Sequence, residues 1–76
     1  MVPNELSDIL GSDPETLGGV VCFKNTRIPV RILFDHVNHG TPLEDFLEGY
    51  PSVTKESALR VLAWEEKTAL GLLESA

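Results

Sequence analysis

Thr54 opens a run of twenty residues, from Lys55 to Glu74, in which only Gly71 weakens the case for a helix. Threonine is a good helix N-cap. A continuous helix of that length is about 30 Å long, the diameter of a small domain. Leu59, Leu62, Ala63, Ala69, Leu70 and Leu73 recur along it at helical spacing and are expected on its inner side. The remainder of a 76-residue chain holds only short elements, too short to cover such a helix from end to end. The part beyond Trp64 is therefore expected to project past the core and expose apolar surface, the usual mark of a partner site. Trp64, Leu70, Leu72 and Leu73 are the candidate partner-binding residues.

The same size limit bears on stability. A core in so short a chain contributes about 3–5 kcal/mol of net stability, and small domains commonly add disulfides, metal or a partner. Cys22 is the only cysteine, so no internal disulfide can form. It lies in an apolar run, where a free thiol behaves as a small hydrophobe. His36 and His39 are the only other soft metal ligands, and zinc takes three or four protein ligands. They read as polar residues on a surface helix, and no metal or other cofactor is expected. A homodimer, or docking onto another protein, remains as the source of added stability. Catalysis lacks its parts: neither Cys22 nor any serine has a neighbouring histidine and orienting acid. A non-enzyme is expected, with no catalytic residues.

Ahead of the long helix the elements are brief. Asn4 can cap a short helix over residues 5–10, with Gly11 as its stop and a turn at Ser12, Asp13 and Pro14. Val20, Val21, Cys22 and Phe23 favour a strand. Lys24, Asn25 and Thr26 make a turn in which Asn25 can adopt the left-handed conformation, and residues 27–30 return as a second strand. Pro29 cannot donate to a ladder, so that strand is short or at an edge, and the edge invites pairing with another chain. Val30, Leu33, Phe34 and Val37 then mark a helix over residues 30–38, with Gly40 placed for its C-terminal cap. Thr41, Pro42 and Glu44 resemble a capping box opening a second helix, which Gly49 and Pro51 end. The expected fold is mainly α: a short N-terminal β-hairpin at residues 18–30 followed by three helices. It forms one domain, residues 1–76, with its core at about 13–64 and a C-terminal helical extension at 65–76.

Net charge is −6, which repels a phosphate backbone at long range. Against that, Lys24, Arg27 and Arg31 are three of the six Lys and Arg residues and fall in a stretch without an acid. If the second and third helices form a helix-turn-helix, the N-terminal positions of the third would meet base edges, and these are Lys55, Ser57 and Arg60. Lys24, Arg27 and Arg31 would hold phosphates. Three-helix packing without a DNA role explains the helices equally well. The N-terminus has no signal-peptide pattern and no apolar stretch approaches bilayer length, so no membrane contact and a cytoplasmic location are expected.

Asp13-Pro14, Gly18-Gly19, Thr26-Arg27-Ile28-Pro29-Val30, Gly40, Glu44-Asp45, Tyr50-Pro51 and Thr54 together resemble the four-thirty-three domain-of-unknown-function family, from about residue 13 to residue 64. That resemblance implies a homeodomain-like helix-turn-helix bundle. It also implies an antitoxin of VapB type, a prokaryotic toxin-antitoxin regulator that neutralises a PIN-domain ribonuclease toxin and binds its own promoter DNA as a dimer. The chain departs from the family at Asn25, where glycine is usual, and at Val20-Val21, where Lys-Pro is frequent. The contrasting expectation is a dimeric protein-interaction adaptor without DNA binding, which the acidic charge favours.

Overall fold

The computed structural model describes residues 2–12 and 17–75. Two short strands, β1 (Leu10–Ser12) and β2 (Val21–Phe23), precede three helices: α1 (Val30–Asn38), α2 (Leu43–Gly49) and α3 (Lys55–Glu74). The chain is mainly helical, with an antiparallel two-stranded hairpin near its N-terminus.

That hairpin is not the one the local signals describe. β1 pairs with β2 in the register Leu10–Phe23, Gly11–Cys22 and Ser12–Val21. The segment expected as a second strand, residues 27–30, contributes only a single bridge from Pro29 to Cys22. The amide of Phe23 donates to the carbonyl of Ile28 at 3.0 Å. Proline has no N–H to continue the ladder, and the backbone turns directly into α1. β2 therefore has β1 on one side and the single Pro29 bridge on the other, and residues 27–30 form no strand whose edge could be open. The N-terminal helix expected over residues 5–10 is also absent. A single 3₁₀ turn at Asn4–Leu6 replaces it, and Leu10 is recruited into the sheet instead. The turn itself is as expected: Asn25 takes a positive φ of 62°, and the Thr26 hydroxyl donates to the Phe23 carbonyl at 2.7 Å. The turn expected at Ser12, Asp13 and Pro14 falls mostly outside the described residues.

α1 ends in a Schellman arrangement. Gly40 has a φ of 75°, its amide donates to Val37, and that of Thr41 donates to His36. This uses Thr41 as part of the exit from α1, so it does not cap α2. Pro42 is extended (ψ 145°), α2 starts at Leu43, and no side chain caps it. The expected capping box is not formed. α3 begins as expected, with the Thr54 side chain accepting from the Ser57 amide at 3.1 Å, and it continues through Gly71 to Glu74.

The core gathers Leu6, Leu10 and Phe23 from the N-terminal half with Leu33, Phe46, Val53, Ala58 and Val61. Leu33 and Phe46 are fully buried, each worth roughly 1.5–3 kcal/mol of hydrophobic stabilisation. Phe46 is the hub of an aromatic group. Its ring centroid lies 5.2 Å from Tyr50, 5.5 Å from His36 and 6.2 Å from Phe23. His36 is thus no surface residue: it is half-buried, edge-on to Phe46, with Nδ1 donating to the Ile32 carbonyl at 3.0 Å.

The inner face of α3 also differs from the expected one. Ala58 and Val61 are buried, with Leu62 and Trp64 partly so. Leu59 (47% exposed), Leu70 (45%) and Leu73 (74%) face outward, as do Ala63 and Ala69. Apart from Leu62, which packs against the core as expected, the apolar stripe expected inside lies on the outside of the molecule, leaving α3 with one covered face and one open face.

Candidate functional site

Two regions offer candidate surfaces, and the polar candidates come first. Arg60 forms a two-pronged ion pair with Asp8 (2.7 and 3.0 Å) and also donates to the Glu5 carbonyl at 2.9 Å. Its guanidinium clamps the N-terminal turn onto α3, and the pairing holds the Asp8 carboxyl below its ordinary value of 3.8. Lys55 lies 3.7 Å from Glu44, and Ser57 receives the Thr54 hydroxyl at 2.9 Å within the helix cap. Lys24 reaches the Ser7 carbonyl at 3.2 Å. Arg31 sits 3.9 Å from Asp35 on an exposed turn of α1. Arg27 is exposed and shares the rim of a shallow cavity of about 540 Å³ with Lys24, Ser12 and Val20.

The six polar candidates are therefore divided among several places. Lys24 and Ser57 border a smaller cavity of about 170 Å³ with Asp8. Arg31 stands apart, at the rim of an apolar groove. An electrostatic stripe for a phosphate backbone calls for basic groups on one face. Here most of the candidate cations have carboxylate or carbonyl partners within the fold.

That apolar groove has a volume of about 310 Å³. It is framed by Pro3 and Leu6, by Val20 beside β2, by Phe34 of α1 and by Trp64 of α3. It exists because four separate segments converge without filling the space between them. Val20 at its rim is 42% exposed, an apolar residue held open to solvent. No periodicity in the sequence points to this groove, since its walls come from residues far apart in the chain; of the candidate residues, Trp64 and Arg31 line it.

The four partner-binding candidates are not on one surface. Trp64 lines the groove, whereas Leu70 and Leu73 lie on the open outer face of α3. Leu72, 69% exposed, is on the core side of the helix but beyond the end of the core. At 3.6 residues per turn, Trp64 and Leu73 point in opposite directions. Among the described residues, no group of three His, Cys, Asp or Glu side chains is arranged to hold a metal, and no helix is long and apolar enough to cross a membrane.

Residues 11–64 match the DUF433 family, described as a protein of unknown function. The match spans most of the chain. This protein belongs to the DUF433 family. Its fold is also similar to the crystal structure of a DUF433 member protein from Anabaena variabilis ATCC 29413. The two are 26% identical, with a TM-score of 0.68, over 97% of this chain and 84% of that one. None of the curated proteins matches it. The DUF433 match includes β2, the Thr26–Pro29 turn and the walls of the groove contributed by Val20, Phe34 and Trp64. It stops at Trp64, so the projecting half of α3 lies outside the residues matched by the family.

Proposed function

We propose that this DUF433 protein is an antitoxin-like regulator acting through protein contacts, with a PIN-type ribonuclease as its partner and the Trp64 groove as the seat of that contact. The observation that carries the reading is the groove itself. It is an open apolar recess with an exposed valine and a single cation, Arg31, at its rim. Apolar walls with a few polar groups at the edge suit a protein side chain or helix. The identity of the partner comes from the antitoxin resemblance alone.

Promoter binding through a homeodomain-like helix-turn-helix is the weaker half of the resemblance. Arg60, Lys55 and Ser57, the would-be base readers, are engaged inside the fold, and the net charge of −6 opposes DNA. The form of the proposal adopted is a protein-binding module without DNA contact.

The test is co-expression with any PIN-domain ribonuclease encoded next to its gene. The wild-type chain is expected to co-purify and suppress RNA cleavage, and Val20→Glu to lose both while keeping its helical circular dichroism. If no complex forms, or if Val20→Glu binds as well as wild type, the groove reading is wrong. A gel shift on upstream DNA, titrated with salt, tests the other half. Binding that weakens and loses salt dependence in Arg27→Ala/Arg31→Ala would restore the DNA role.

A further inference from the structure

The outer face of α3 carries a pattern that the covered face does not. Leu59, Leu62, Ala63, Glu66, Ala69, Leu70 and Leu73 form one stripe, centred about 140° round the helix from buried Val61. Within it Leu59, Leu62, Glu66, Ala69 and Leu73 are spaced alternately by three and four residues, as in a two-helix seam. It is also symmetric in sequence about Glu66. Leu59 and Leu73 stand seven residues either side, Leu62 and Leu70 four, and Ala63 and Ala69 three. All but Leu62, which is half-buried, are exposed.

We infer that this face pairs with α3 of a second copy, antiparallel, with the two-fold axis at Glu66. In an antiparallel two-fold pair each residue meets the one equally far on the other side of the axis. About Glu66 that sets leucine against leucine at both ends and alanine against alanine beside the centre, where the helices must approach most closely. A parallel pair would also set like against like, but it would bring the two domain bodies side by side at one end. The one discordant position is Glu66, which meets its own copy on the axis. In this register Lys67 comes level with Glu65 of the second copy, on the flank of the stripe about 100° from its centre.

The stripe runs about 21 Å. Scaled from about 800 Å² per partner for 20–30 residues a side, the seven seam residues bury roughly 200–300 Å² per copy. That is below the size of a permanent dimer, so the pair forms reversibly and its population follows protein concentration. The pairing uses the face of α3 opposite Trp64. It is independent of the groove proposed for the ribonuclease, and either can fail without the other.

Sedimentation equilibrium on the full chain tests the inference. The wild type is expected to show a monomer–dimer equilibrium. Glu66→Leu removes the like charges on the axis and should tighten it at least about tenfold, whereas Leu70→Lys buries a charge in the seam and should weaken it at least about tenfold. Register is read by oxidising a mixture of Leu59→Cys and Leu73→Cys copies, each in a Cys22→Ala background. Mixed 59–73 crosslinks are expected over same-site ones. Three results would overturn it: monomers at millimolar concentration even for Glu66→Leu, predominant same-site crosslinks, or a dimer indifferent to Leu70→Lys. Loss of ribonuclease capture in Leu70→Lys with no change in mass would assign the stripe to that partner instead, and equally overturn it.

Discussion

The two halves of α3 share one continuous helix, yet they do different physical work. In the first half Ala58 and Val61 are sealed against Leu33, Phe46 and Val53, and Arg60 ties the helix to the N-terminal turn. In the second half every described side chain from Glu65 onward is exposed. Backbone hydrogen bonding is continuous through both. The first half is held by what packs on it, while the second is held only by its continuity with the first. A helical pattern therefore reports local structure, and says little about whether that structure carries the fold.

The same substitution chemistry should separate the halves most sharply. Val61→Asp buries a charge without a partner, a change that costs more than about 4 kcal/mol, enough to abolish the cooperative thermal transition of so small a core. Thr54→Ala removes the side-chain cap of α3 and should cost about 1 kcal/mol in urea unfolding. In the free half, Gly71→Ala meets open space at the new methyl. It should favour the tail helix by up to about 1 kcal/mol, seen as slower amide exchange after Lys67 with little change in the midpoint of melting. Leu72→Asp, the counterpart of Val61→Asp on the exposed half, should move monomer stability by no more than about 0.5 kcal/mol.

The smallest effect belongs to the tether between α3 and the N-terminus. The folded Asp8 carboxyl titrates below its ordinary 3.8 because Arg60 binds its charged form. Its contribution is thus present above that unfolded value and lost as pH falls through the lower folded one. Acid below 3.8 should lower the protection of the Leu6 and Ile9 amides, hydrogen-bonded in the tethered turn, relative to their intrinsic exchange rates. Asp8→Asn should show that lower protection already at neutral pH and lose most of the acid response.

The bounds of α1 and α3, the left-handed Asn25 and the Thr54 cap were legible because each is decided by interactions within a few residues. The over-length of α3 was legible too, since helix rise and chain length are fixed quantities. The groove was not, apart from Trp64 and Arg31, because its walls are distant in sequence. His36 was misread as a surface residue for the same reason: its burial depends on Phe46 and Tyr50, which come from beyond its own helix.

What the sequence by itself determined is therefore that α3 exists, where it starts and that it outruns its core. Which of its faces is covered was decided only by tertiary structure. Periodicity counts apolar stripes but cannot rank two on the same helix. The narrow Ala58–Val61 face fits against Leu33 and Phe46, so the broader leucine stripe was left outside. Strand pairing followed the same logic. Leu10 displaced residues 27–30 as the partner of β2 because its side chain completes the core, while Pro29 has no N–H to extend a ladder.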